Sequence, residues 1–234
     1  MKKVLFLFLS LFAVVPMVSS QGIKSILDND INPGKVLVEF DNRTIDVKGT
    51  YYLDEDWSNG DILLKSGILI KNQVIRYDLE YDMLEIKIPD QIKIIPLRKL
   101  ESYILFEEPD ANLLFVNCER YSFEDGTPLS GICQVLDTGY YGGIIKFTCN
   151  LKEADYIPAL DMGSKSHEIV LTSHIFLTKD KTIFKIPVKK KNFYNFYINP
   201  KVDIKLYMKK NKLNHRKPED LAKVLHFINQ PAEK

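Results

Sequence analysis

The chain has 234 residues, 45% of them apolar, and its 32 basic and 31 acidic residues leave a formal net charge of +1. This length and composition are compatible with one β-rich domain plus an appendage, and the apolar content is sufficient for a packed core. After the N-terminus, no apolar run approaches the roughly 20 residues that a membrane-spanning helix needs, so we predict no transmembrane helix in the mature chain.

The N-terminus has the pattern of a secretory signal peptide. Lys2 and Lys3 form a positive n-region, residues 4–18 form an apolar h-region, and Ser19 and Ser20 supply the small residues that precede a cleavage site. We predict cleavage after Ser20, with an uncleaved anchor as the alternative. The mature protein is therefore expected to be exported: periplasmic, associated with the outer envelope, or secreted.

Short runs rich in β-branched and aromatic residues alternate with turn signals from residue 35 onward, which predicts an antiparallel β-meander. The Ser66-Gly67 pair predicts a tight hairpin, and the alternation of apolar and charged residues over 84–88 predicts a strand with one wet face. The predicted strands are 35–40, 44–53, 61–65, 68–77, 83–88, 91–95, 102–107, 113–123, 129–136, 144–151, 168–177 and 182–186.

An acidic stretch at 54–60 ends in Asn59-Gly60 and is predicted to be a loop. It holds Trp57, the single tryptophan of the chain. We interpret Trp57 as a lid on the edge of the core, because large aromatic side chains commonly bury there; a binding residue is the alternative.

The C-terminal part changes to a helical period. Residues 191–197 fit either a strand end or a short helix. Asn199-Pro200 predicts a helix start, and that helix runs to about residue 210 with an apolar side that includes Leu206. A second helix is predicted from Pro218. Its apolar positions follow the i, i+3, i+4, i+7 spacing and are Leu221, Val224, Leu225 and Ile228.

These elements predict an α+β protein that is mainly β: an antiparallel meander, forming an open barrel or a two-layer sheet, with two C-terminal helices. The predicted organisation is a signal peptide at 1–20, a β-rich domain at 21–188 and a basic helical segment at 189–234 that packs on it.

The three cysteines, Cys118, Cys133 and Cys149, all fall in predicted strands. An exported protein meets oxidising conditions, so one disulfide is compatible with the sequence. Because the count is odd, at least one thiol stays unpaired within the chain. Buried, unpaired cysteines are the commoner interpretation for such positions, and the pairing stays open.

Four stretches carry a resemblance to known sequences: GDILLKSG, VIRYDLEYDMLEIK, SGICQVLDTGYYGGIIKF and the C-terminal MKKNKLNHRKPEDLAKVLHFIN. They resemble a group of exported β-rich proteins of Bacteroidota-type bacteria that share a signal peptide, a β-meander and a C-terminal helix pair. The shared motifs are structural, and the group has no established activity. The resemblance therefore implies a fold class and an exported location, but no mechanism.

Asp137-Thr138-Gly139 is the sharpest match to a catalytic motif, because aspartic proteases use two Asp-Thr-Gly carboxylates that share a proton. The chain has one copy, so only a homodimer would complete such a site, and the same tripeptide is an ordinary hairpin turn. His167 and His174 are seven residues apart in a predicted strand and so face opposite sides of a sheet, which does not suit a shared metal. We predict no catalytic residue, no cofactor and no metal site.

Charge is concentrated near the C-terminus, where residues 179–217 hold 13 basic and two acidic residues. Neighbouring aromatic residues make this the best candidate contact patch. Its alternative is an aromatic interface between helix and sheet, with the lysines in solvent. The patch consists of Lys189, Lys190, Lys191, Phe193, Tyr194, Phe196 and Tyr197.

We expect an exported, non-catalytic protein that binds or assembles with another cell-envelope component, either an envelope protein or an anionic glycan. A hydrolase that acts on envelope glycan or peptide is the alternative. The export signal argues against a nucleic-acid partner.

Overall fold

A computed structural model describes residues 47–107, 111–157, 159–164, 166–197 and 203–230. The predicted signal peptide and the predicted strand at 35–40 lie outside these ranges. Within them, 12 strands form one open sheet that is mostly antiparallel, and three helices follow it. The predicted class, α+β and mainly β with helices at the C-terminus, is confirmed.

The elements are β1 (Val47–Lys48), β2 (Ser58–Leu64), β3 (Leu69–Asp78), β4 (Met83–Ile88), β5 (Gln91–Pro96), β6 (Leu100–Glu107), β7 (Ala111–Asn117), β8 (Ser122–Phe123), β9 (Ile132–Asp137), β10 (Tyr141–Lys152), β11 (His167–Lys179), β12 (Thr182–Lys185), α1 (Lys190–Phe196), α2 (Ile204–Lys210) and α3 (Pro218–Asn229). The strand order is β5-β4-β3-β2-β6-β7-β9-β10-β11-β12-β8, and β1 pairs with the start of β11. Most neighbours in the sheet are therefore joined by hairpins, as a meander requires.

The first half of the sheet buries one face around a row of stacked aromatic rings. Tyr103 of β6 faces Phe115 of β7, and their ring centroids are 4.7 Å apart. Tyr77 of β3 lies 6.0 Å from Tyr103, and Phe147 of β10 lies 6.4 Å from Phe115. Because β10 stands five strands from β3 in the sheet order, these contacts show that the sheet curves around this core.

The second half of the sheet is covered by the C-terminal helices. Leu221, Val224, Leu225 and Ile228 of α3 are all buried, as their helical spacing predicted. They pack with residues of β9 to β12 and with α1 and α2 in a second apolar cluster. Burial of each such side chain contributes about 1.5–3 kcal/mol, so this face holds α3 firmly.

Four local predictions about the β-rich part were wrong. Of the predicted strand at 44–53, only Val47–Lys48 is a strand among the described residues. Glu85, expected on the wet face of the strand at 84–88, is buried.

The predicted strand at 113–123 is broken after Asn117, whose side chain accepts from the Glu119 N–H at 3.0 Å and so turns the chain into a short 3-10 helix. Asn59-Gly60 is not a turn but part of β2. A Cβ on Gly60 would lie 2.2 Å from the Ile104 carbonyl oxygen, so glycine is needed there for close strand approach.

The break after Asn117 brings Cys118 next to Cys133. Cys118, now in the 3-10 helix, forms a disulfide with Cys133 of β9 across 15 residues of sequence, with the two Cα atoms 5.6 Å apart. Both residues are fully buried. Cys149 of β10 is unpaired and half-buried. The disulfide therefore fixes the connection between β7 and β9, which carries β8 to the sheet edge.

We predict that the double substitution Cys118→Ala and Cys133→Ala lowers the free energy of unfolding by about 3 kcal/mol. The expected loss follows from the unfolded-state entropy that a disulfide across about 15 residues removes. Urea denaturation of wild type and variant measures it, with Cys149→Ala as the control for loss of a thiol. An equal midpoint for wild type with and without reductant would contradict the bond.

Candidate functional site

The predicted contact patch divides into two parts. Its lysines, Lys189 to Lys191, are exposed at the start of α1. Its aromatic residues turn inward: Phe193 is fully buried, Tyr197 is 5% exposed, and Tyr194 and Phe196 are half-buried. This is the alternative arrangement, an aromatic interface with the lysines in solvent.

The aromatic residues fix the position of α1 on the sheet. The ring of Tyr197 packs edge-on against Phe193 and against Tyr141 of β10, with centroids 5.0 Å apart in each pair. Phe196 packs against Phe184 of β12 in the same way, at 5.1 Å. Edge-to-face packing of this kind adds to the energy of burial. The ambiguous segment 191–197 is thus helical because its aromatic residues bury on one side.

α2 begins at Ile204, later than the predicted start, and Asn199-Pro200 lies outside the described residues. The Asp203 side chain caps the helix by accepting from the Leu206 N–H at 2.9 Å. Ile204 and Met208, four residues apart, are buried. Leu206 is 62% exposed, so its predicted place on the buried side was wrong.

Between α1 and α2 lies an open groove of about 500 Å³, which we call the lysine groove. Its floor is apolar, since Met208 and Leu213 are buried there. Its walls carry four exposed lysines. The lining residues are Lys190 and Tyr194 of α1, Lys205, Met208 and Lys209 of α2, and Lys212, Leu213 and Asn214 after α2.

The end of α2 positions the last of these lysines. The Leu213 N–H donates to the Met208 carbonyl at 2.9 Å, and the Lys212 N–H donates to the Lys209 carbonyl at 3.3 Å. This is a Schellman motif, whose left-handed residue is usually glycine. Here the left-handed residue is Lys212, with φ of 54°. A lysine therefore stands where the backbone favours glycine, and this lysine lines the groove.

The lining of the groove is positively charged, and the Asp220 carboxylate, which accepts from the Asn214 N–H at 2.9 Å, lies next to it. None of its lining residues is acidic, and among the described residues no carboxylate forms an ion pair with Lys190, Lys205, Lys209 or Lys212. Three of these lysines were missed by the sequence analysis, which concentrated on 189–197. The i, i+4 spacing of Lys205 and Lys209 was the signal that places both on one side of a helix.

His215 follows Asn214 of the groove lining and links the loop before α3 to α1. It is 1% exposed, its Nε2–H donates to the Pro187 carbonyl oxygen at 2.8 Å, and its ring lies 4.6 Å from the Phe193 ring. Burial lowers the pKa of His215, and the nearby positive charges of Lys190 and Arg216 lower it further. The imidazole is therefore neutral in the folded protein near pH 7.

Asp137 has a structural role. Its Oδ1 accepts from the Gly139 N–H at 2.8 Å, which closes the turn between β9 and β10. The same oxygen accepts from Asn229 Nδ2 at 2.6 Å, and that nitrogen also donates to the Tyr141 carbonyl at 2.8 Å. The Asp-Thr-Gly motif is thus a turn, and Asn229 at the end of α3 holds it through these hydrogen bonds.

The histidines that could act as metal ligands do not form a cluster with other ligand residues in the described part of the chain. His167 and His174 both belong to β11, and His226 is exposed on α3. In the part of the chain that the structure describes, no three His, Cys, Asp or Glu side chains form a group that could hold a metal ion. No helix in that part is long and apolar enough to cross a membrane.

Trp57 is half-buried and immediately precedes Ser58, the first residue of β2. The Arg76 guanidinium lies 4.3 Å from the centre of the Trp57 ring and 3.5 Å from that of the Tyr52 ring. Arg76 also pairs with the buried Glu85 at 2.7 Å. Trp57 therefore covers a buried ion pair between β3 and β4.

Comparison of the chain with protein-family models, with curated proteins and with solved structures found no match. The resemblance to exported proteins of Bacteroidota-type bacteria therefore stays a prediction, and the function must be argued from the geometry.

We predict that the stability of the protein falls as the pH drops below about 6.5, partly through His215. The unfolded histidine has a pKa of about 6.5, whereas the folded one has a lowered pKa, so the unfolded state binds more protons in the interval between them. The contribution of His215 is complete above pH 6.5 and is lost as the pH falls toward the folded pKa.

Urea denaturation at a series of pH values between 7.5 and 5 tests this prediction. His215→Gln should be less stable at neutral pH and should lose less stability on acidification than wild type. His226→Gln, a change at an exposed histidine, controls for the substitution. Parallel pH profiles for wild type and His215→Gln would contradict the prediction.

Proposed function

We propose that this protein is exported and binds an anionic glycan of the cell envelope in the lysine groove. The observation that carries the proposal is the groove itself: four exposed lysines over an apolar floor, none of which forms an ion pair within the described residues. Lysine ammonium groups are point charges that suit phosphate, sulfate or carboxylate groups on a flexible chain. The N-terminal sequence pattern and the Cys118–Cys133 disulfide support an oxidising compartment outside the cytoplasm.

The local nature of the charge favours a defined site. After removal of residues 1–20, the chain would hold 30 basic and 31 acidic residues, so its total charge would not attract polyanions. Lys205 and Lys209 lie one helical turn apart, which spaces their charges by roughly 5–6 Å at the Cβ atoms. Lys190 faces them from α1. Such a row suits repeating anionic groups, and the half-buried Tyr194 offers an aromatic surface for a sugar ring.

We predict that the triple substitution K205Q/K209Q/K212Q weakens binding of heparin, used as a soluble anionic glycan, by at least roughly tenfold at low salt. The slope of log affinity against log salt concentration should also fall by about one for each lysine that contacts the anion. Fluorescence anisotropy of labelled heparin over a salt series measures both quantities.

The matched control is K48Q/K71Q/K152Q, which removes three charges from exposed lysines outside the groove. Lys212→Gly separates binding from stability. It should weaken heparin binding and yet raise the free energy of unfolding by about 0.5–1 kcal/mol, because glycine fits the left-handed conformation. Equal losses in both triple variants, or tighter binding to single-stranded DNA of matched charge, would contradict the proposed glycan site.

We predict that the N-terminus of the protein recovered from its own cells begins at or near Gln21. Signal peptidase cleaves after small residues, and Ser20 occupies that position. N-terminal sequencing of the envelope and culture-medium fractions measures this. Recovery of an intact Met1 from a soluble cytoplasmic fraction would contradict export.

A further inference from the structure

The hairpin of β10 and β11 extends beyond the neighbouring strands of the sheet. β9 pairs with β10 only as far as Lys146, and β12 pairs with β11 only over 176–179. The two long strands stay paired with each other out to Lys152 and Glu168, where β1 is the only other described strand that pairs with them. The outer part of the hairpin is therefore an arm. Its connection, residues 153–164, is mostly exposed, and we call it the hairpin tip.

Hydrogen bonds within the hairpin tip give it a defined shape. The Ile157 N–H donates to the Met162 carbonyl at 2.8 Å, and the Asp155 N–H donates to the Ser164 carbonyl at 3.1 Å. The Ser164 N–H also donates to Asp155 Oδ1 at 2.7 Å. Because the tip is closed by these bonds, little conformational entropy is lost when a partner binds it.

The hairpin tip exposes large apolar side chains together with negative charges. Ile157 is 51% exposed, and Leu160 and Met162 are each 63% exposed. Ile157 and Met162 are directly paired, so their side chains lie on the same side of the hairpin. The tip holds no basic residue, and its three exposed carboxylates belong to Glu153, Asp155 and Asp161. Exposed apolar groups bordered by polar ones are typical of a protein-binding surface.

The lysine groove has the complementary surface. Its floor is apolar, and its walls carry four exposed lysines. An apolar side chain of the tip that enters this groove therefore brings the carboxylates of the tip close to the lysines. Such charges orient two partners and exclude others, whereas apolar contact at the centre supplies most of the affinity.

The hairpin tip and the lysine groove of one molecule lie toward opposite ends of β10. α1, which forms one wall of the groove, packs on Tyr141, the first residue of β10, whereas the tip follows Lys152, its last residue. A strand rises about 3.3 Å per residue, so these two ends are roughly 35 Å apart. The tip that fills a groove must therefore come from another molecule.

We propose that the hairpin tip of one molecule binds in the lysine groove of a second copy of this chain. Leu160 and Met162 pack on the floor at Met208 and Leu213, and the tip carboxylates pair with the groove lysines. Because the contact joins two different surfaces, a pair of molecules keeps one free tip and one free groove, and association continues head to tail. This inference goes beyond the proposed function, and a glycan and a second copy compete for the same groove.

Sedimentation velocity of the mature protein over a concentration series at low salt tests the contact. Wild type should form dimers and longer species as its concentration rises. At about 1 M salt, where the Debye length is about 3 Å, the association should weaken at least roughly tenfold. A wild-type protein that stays monomeric at about 1 mM, the weak end of specific affinities, would overturn the proposal.

Two variants each remove one side of the contact. L160S/M162S changes the tip and K205Q/K209Q/K212Q changes the groove, and both replace exposed side chains only. Each variant alone should be monomeric. Mixed in equal amounts, they should form a one-to-one complex that grows no further, because one supplies an intact groove and the other an intact tip. A mixture that stays monomeric, or either variant self-associating as wild type does, would overturn the proposal.

Ile92→Ser is the matched control for loss of an exposed apolar side chain, since Ile92 is 50% exposed on β5, and it should associate as wild type does. L160S/M162S should still bind heparin as tightly as wild type, because its groove is unchanged. Loss of self-association and loss of glycan binding are therefore separate results. Weakened association in Ile92→Ser equal to that in L160S/M162S would contradict a specific role of the tip.

Discussion

One face of a wide antiparallel sheet must be removed from water along its whole width, and this protein solves that problem differently in its two halves. From β2 to β7 the sheet curves over its own stacked rings, with Tyr103 and Phe115 4.7 Å apart at the centre. From β9 to β12 the same requirement is met by α3, whose buried side chains pack on the strands. The lysine groove follows from the second of these two ways of covering one face.

The lysine groove exists because α1 and α2 are short helices that bury strongly on one side. Phe193 and Met208 are buried in the apolar cluster, whereas the lysines of the groove lining are exposed around them. The neutral His215 is enclosed beneath them and bonds to the Pro187 carbonyl, which ties the loop before α3 to the start of α1. The shape of the groove is therefore fixed by buried side chains of α1 and α2, and its exposed lysines are not part of the apolar cluster.

The curvature of the first half also leaves a cavity of about 190 Å³ beside its aromatic rings. The rings of Tyr77, Tyr103, Phe115 and Phe147, with centroids 4.7–6.4 Å apart, fill the curved core incompletely. The loop before β2 also lines it, close to the site where Trp57 packs on Arg76 and Arg76 pairs with the buried Glu85. The acidic loop and the aromatic interior are far apart in sequence, and the sheet brings them together.

The sequence by itself determined the class of fold, most of the strands and the buried positions of α3. These features depend on local periodicity, so Leu221, Val224, Leu225 and Ile228 could be assigned from their spacing. Tertiary structure decided what depends on contacts between distant residues. It paired Cys118 with Cys133, placed Gly60 in a strand against Ile104, and turned the aromatic half of the predicted patch inward. It also assembled the lysine groove and the cavity, because neither set of residues is contiguous and only packing brings its members to one surface.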